Sequence, residues 1–203
     1  MTRLLPLALV ALLAAPGAFA QYYRAAPGPA FGLKAGLNVA DLTGADAPVN
    51  TDPRLGFSGG LMADVPITPM FSVRPEVLYS QKGVSSSNNN ETASVDYIEI
   101  PVLVAATIPA TETGLMLGAY VGPALGVKVR EKTNGFAGLP IGGNTFKSTD
   151  LGAAFGVTVG AGPFMVDGRY TLGLQDAVDE SVLTTNRMRN GVFTFSGVYL
   201  FGR

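Results

Sequence analysis

The chain has 203 residues, a formal net charge of −1, 26 glycines, no cysteine and no histidine. Without histidine or cysteine neither a Ser-His-Asp triad nor a His/Cys zinc site can be assembled, and no disulfide framework exists. The charge balance leaves no basic stripe for phosphates, so nucleic acid is excluded as a partner.

The first element is a leader. Arg3 precedes an apolar run over residues 4–15, broken only by Pro6, and Ala18-Phe19-Ala20 gives a small-x-small cleavage pattern. The run is shorter than the roughly 20 residues a spanning helix needs, and Pro16-Gly17 ends it. The expectation is a signal peptide over residues 1–20 cleaved before Gln21, a short lead-in over 21–30, and one domain over 31–203.

Eight segments then alternate with period two, the signature of strands with two unlike faces. Residues 31–39 set Phe31, Leu33, Ala35, Leu37 and Val39 against Gly32, Lys34, Gly36 and Asn38. Residues 55–65 set Leu55, Phe57, Leu61, Ala63 and Val65 against Ser58 and Asp64. Residues 71–82 oppose Phe71, Val73, Val77 and Tyr79 to Ser72, Arg74, Glu76, Ser80 and Lys82. Over 95–108, Ile98, Ile100, Val102, Val104 and Ile108 oppose Tyr97 and Glu99. Over 115–130, Leu115, Leu117, Val121, Leu125, Val127 and Val129 oppose Tyr120, Lys128 and Arg130. Leu151, Phe155, Val157 and Val159 then oppose Asp150 and Thr158. Phe164, Val166, Tyr170, Leu172 and Leu174 oppose Asp167, Arg169 and Thr171. Finally Phe193, Phe195, Tyr199 and Phe201 oppose Thr194 and Ser196.

A soluble sandwich with one wet face shows the same alternation. The connections separate the two. Residues 40–54, 83–94, 131–149 and 175–189 form long polar links, whereas 66–70, 109–114 and 160–163 are short. Sorting of links by parity is what a transmembrane β-barrel requires, with short turns on the periplasmic side and long loops outside. The fold expected is all-β: an eight-stranded antiparallel up-and-down transmembrane barrel.

Several segments also resemble the porin-like outer membrane β-barrel family of Gram-negative bacteria. The resemblance rests on Phe31-Gly32-Leu33-Lys34-Ala35-Gly36-Leu37-Asn38 and on the run from Arg74-Pro75-Glu76 through Tyr79-Ser80-Gln81-Lys82-Gly83. It also rests on Tyr97-Ile98-Glu99-Ile100-Pro101, Gly122-Pro123-Ala124-Leu125-Gly126 and Arg169-Tyr170-Thr171-Leu172-Gly173-Leu174. It implies a barrel in the cell outer membrane. About activity it implies little, because the family is defined by architecture.

Two groups of residues are candidates for function. The inward face carries Lys34, Asp64, Arg74, Glu76, Lys82, Glu99, Lys128, Arg130, Asp150, Asp167 and Arg169. These could form a selectivity filter, but eight strands leave an interior that side chains fill, and mixed signs favour a lumen network of ion pairs. Arg74 and Glu76 on strand three face Glu99 on strand four, which makes cross-strand pairing plausible. The long third outer link holds Phe136, Leu139, Ile141 and Phe146 among glycines, an apolar patch for a partner or a cap over the mouth.

The function expected is that of a non-enzymatic envelope barrel, structural or binding through its surface loops, with no catalytic residue, cofactor or metal. Its partners would be outer membrane lipid, the barrel insertion machinery and an extracellular loop partner. Alternatives are a narrow passive pore for small solutes and a soluble periplasmic barrel carrying an apolar ligand, which would need the opposite polarity of faces.

Overall fold

The computed structural model describes residues 28–43, 51–86, 92–112, 114–134, 148–174 and 189–201. Eight strands follow one another: β1 (Ala30–Thr43), β2 (Thr51–Pro66), β3 (Phe71–Ser86), β4 (Thr92–Pro109), β5 (Leu115–Asn134), β6 (Thr149–Ala161), β7 (Phe164–Gly173) and β8 (Arg189–Phe201). Each pairs antiparallel with its neighbour in sequence, and β1 pairs with β8, so the sheet closes on itself. Closure satisfies every ladder and removes the edges that a bilayer would leave without hydrogen-bond partners.

The two faces follow the period-two pattern. Phe31, Leu33, Leu37, Leu61, Val77, Val104, Val121, Val157, Phe164 and Phe195 are exposed on the outside. Lys34, Asp64, Arg74, Glu76, Asp167 and Arg169 are buried inside. A soluble carrier has the reverse arrangement; here the apolar side meets hydrocarbon and the charges meet one another.

The even-numbered links are short because local chemistry closes them. Between β2 and β3 the Thr68 hydroxyl accepts hydrogen bonds from the amides of Met70 and Phe71, folding the turn at 3.3 and 2.9 Å. Between β6 and β7 the chain reverses through Gly162, whose φ of +56° a side chain would strain.

Several strands run further outward than the alternation indicates. β3 continues to Ser86, β4 starts at Thr92 and β5 reaches Asn134. Apolar-polar contrast ends where lipid ends, but backbone pairing continues into water, where either face can be polar. Hydropathy therefore under-reads the outer hairpins.

Inside the wall, apolar side chains share the lumen with the charges. Leu103, Ala105, Tyr120, Ala124 and Ala154 form one buried cluster. Met62, Met165, Val198 and Leu200 form another toward the periplasmic end. Glycines let neighbouring strands approach closely: a Cβ at Gly60 would fall on the Val77 carbonyl oxygen, and one at Gly122 on that of Val102.

Candidate functional site

Strand tilt and alternation aim the inward charges at the barrel axis, where they pair in tiers. In the lowest tier Arg74 on β3 reaches back to β2: its Nε donates to Asp64 Oδ1 at 3.2 Å and its Nη2 to Thr107 Oγ1 at 3.3 Å. The middle tier spans the lumen. Lys34 on β1 contacts Asp167 on β7 at 2.6 Å and Glu76 on β3 at 3.6 Å. Arg169 on β7 donates through Nη2 to both Glu76 oxygens at 2.7 and 2.8 Å. Its Nε reaches the Tyr120 hydroxyl at 3.1 Å.

The upper tier is built around Lys82. Its ammonium lies 2.6 Å from Glu99 on β4 and 3.1 Å from Asp150 on β6, and 5.0 Å from the centre of the Tyr97 ring. Beside the charges, Asn38 donates to Ser80 at 3.0 Å and accepts from Thr194 at 2.8 Å, joining β3, β1 and β8. Near the mouth, half-buried Lys128 pairs with Glu131 at 2.6 Å.

Two expectations need correction. Glu99 does not meet Arg74: the register sets Leu78 against Glu99 and Arg74 against Leu103, so the two charges occupy different levels. Arg130 is not in the lumen; it is exposed. Pairing steps from Asp96↔Arg130 to Tyr97↔Lys128, one extra residue on β5, and a one-residue bulge turns everything beyond it to the opposite face. Glu131 takes the inward place instead. The apolar patch Phe136, Leu139, Ile141 and Phe146 lies outside the described residues.

The sequence pattern also passed over residues that matter in the lumen. Glu131 is hidden by the bulge, which leaves no mark in the alternation. Tyr120 and Tyr97 were placed inward, but their stacking under Arg169 and Lys82 depends on register. Met62, Met165, Val198 and Leu200 are apolar at inward positions, and hydropathy alone assigns such residues to the lipid side.

Among the described residues the voids beside the tiers are small, none above about 30 Å³. One void, lined by Arg74, Thr107, Met116, Thr158, Met165 and Leu200 among others, measures about 20 Å³. Another, beside Lys82, Glu99 and Asp150, measures about 10 Å³. Each is room for a water molecule and no larger solute. Chemically the arrangement is a set of struts: charges held by charges, tying β3 to β6 and β7, and β1 to β7.

A closed even-stranded barrel, apolar outside and ion-paired inside, with short turns at one end and long loops at the other, is a transmembrane barrel of the outer membrane type. Residues 19–179 match the family model described as outer membrane protein beta-barrel domain, and the chain belongs to that family. It is an outer membrane protein. No curated protein matches the sequence. Among solved structures, Neisserial surface protein A is similar at 17% identity and a TM-score of 0.52, over 85% of this chain and 98% of that one. OprG from Pseudomonas aeruginosa is similar at 11% identity, TM-score 0.48, over 88% and 98% of the two chains. Ail of Yersinia pestis, in complex with the heparin analogue sucrose octasulfate, gives 11% identity and 0.47 over 86% and 99%. At these identities the likeness to Neisserial surface protein A is one of fold.

Proposed function

We propose that this outer membrane barrel is a sealed, non-enzymatic anchor whose work is done by its extracellular loops. The observation that carries the reading is the middle tier. Lys34, Glu76, Asp167 and Arg169 cross the lumen and are all at least nine-tenths buried, so a solute would have to break several charge-assisted bonds to pass. The whole sequence has neither histidine nor cysteine, which leaves no imidazole base and no thiol nucleophile for catalysis. With the lumen filled, the surfaces left for partners are the lipid-facing wall and the long loops, including the segment with Phe136, Leu139, Ile141 and Phe146. Outer membrane lipid and the insertion machinery are the partners such a wall needs.

Planar-bilayer recording of the refolded protein tests this. The reading expects no steady conductance at moderate voltage. Stable openings would instead establish the narrow pore and displace the anchor.

A further inference from the structure

At the periplasmic end of the lumen, β4 to β7 carry two inward rows of side chains, one above the other. In the lower row the register sets Gly160 between Met116 and Met165, so two thioether side chains flank a position without one. In the upper row Gly118 stands between Thr107 and Thr158, and a Cβ there would meet both hydroxyls. The void of about 20 Å³ described above lies here, bordered by Met116, Met165, Thr107, Thr158 and Arg74. One side of it is thioether and the other is made of hydrogen-bond donors. Arg74 gives Nε to Asp64 and Nη2 to Thr107, at 3.2 and 3.3 Å, from a guanidinium that carries five N–H donors in all.

The methionines differ in access. Met116 is half-buried, and its inward phase near the start of β5 turns its accessible part toward the periplasmic mouth. Met165 and Met62, in the buried cluster with Val198 and Leu200, are only 7% and 4% exposed. The chain has no cysteine and no tryptophan, so methionine is its most readily oxidised side chain. A methionine sulfoxide needs room for one oxygen atom and a donor to hold it. A void that takes one water takes that oxygen, and the flexible methionine side chain can turn to place it there.

We infer that Met116 is an oxygen-accepting site for peroxides arriving from the periplasm, its sulfoxide held by Arg74, Thr107 and Thr158 so that the barrel stays folded. A sulfur lone pair attacks one peroxide oxygen, and the S–O bond forms as the O–O bond breaks. Sulfur gives up two electrons; the departing hydroxide takes the proton of the transferred oxygen and leaves as water. In an ordinary core the same change would strand a polar group among apolar side chains. The site stands whether or not the lumen conducts.

The test is hydrogen peroxide treatment of the full chain refolded in micelles, in a Met70→Leu/Met188→Leu parent that removes two further methionines. Peptide mass spectrometry should show Met116 gaining one oxygen on the order of tenfold faster than Met62. The oxidised parent should keep its heat-dependent gel shift and its urea midpoint. In Thr158→Val, which keeps the side chain's shape, and in Arg74→Lys, oxidation should lower the midpoint. Each variant is compared with its own reduced form, which cancels the cost of the substitution itself. Adding Met116→Leu to Thr158→Val should abolish the drop. Equal oxidation rates at Met116 and Met62 would overturn the assignment. So would unfolding of the oxidised parent, or a midpoint change on oxidation that is the same in parent and variants.

Discussion

Gly156 lacks a side chain because Tyr120 occupies the place where one would stand: an added Cβ would meet the Tyr120 hydroxyl and the Gly168 carbonyl oxygen. Gly156→Ala should push the phenol away from Arg169 and cost about 1 to 3 kcal/mol through overpacking. Urea unfolding in micelles measures this, and an unchanged midpoint would show that the lumen has slack. Val104, on the outer face, poses the opposite problem. It is 52% exposed while Leu103 beside it is 0%, so lipid is the solvent for one and protein for the other. Val104→Arg near the midplane should cost about 2 to 4 kcal/mol, whereas Val104→Leu should be close to neutral. Tolerance of arginine there in a lipid-vesicle refolding assay would mean that the face does not touch hydrocarbon.

Among elements, the strands and their order around the barrel were largely legible, and the charge pairs between them were not. Each strand has lipid on one side and side chains on the other, and these impose opposite demands on successive residues. Phe31 through Val39 therefore reads unambiguously. Which charge meets which depends on the stagger of strands around the barrel, and no local pattern encodes stagger. Glu99 thus pairs with Lys82 rather than Arg74, and Glu76 reaches across to Arg169 on β7. The bulge beside Asp96 is equally silent in the sequence, which is why Arg130 falls on the unexpected face.

The struts between β3 and β7 invite a double-mutant cycle. Arg169→Ala leaves Glu76 with Lys34 alone, and such a loss costs about 3 to 5 kcal/mol in a buried site. Replacing both partners, Arg169→Met with Glu76→Leu, should cost far less than the sum of the single changes. Strict additivity would mean that the two side chains do not act as a pair.

At the scale of the molecule, the ordering of long and short links carried the membrane reading. Turns at one end have only to reverse the chain, as Thr68 and Gly162 do, while loops at the other are free to lengthen toward their surroundings. The long loops themselves are where sequence reasoning stops, because Phe136, Leu139, Ile141 and Phe146 follow no period-two pattern in the sequence. What closes the account is the lumen, where charges and apolar side chains from all sides meet. The chain has no cysteine, so a single introduced thiol reports without background. Ser196 is 1% exposed and stands opposite Gly36 and Asp167 at the level of the middle tier. In vesicle-reconstituted Ser196→Cys, a charged methanethiosulfonate reagent should leave the thiol unmodified until the barrel is unfolded. Rapid modification of the folded protein would reveal a continuous water path and contradict the sealed barrel.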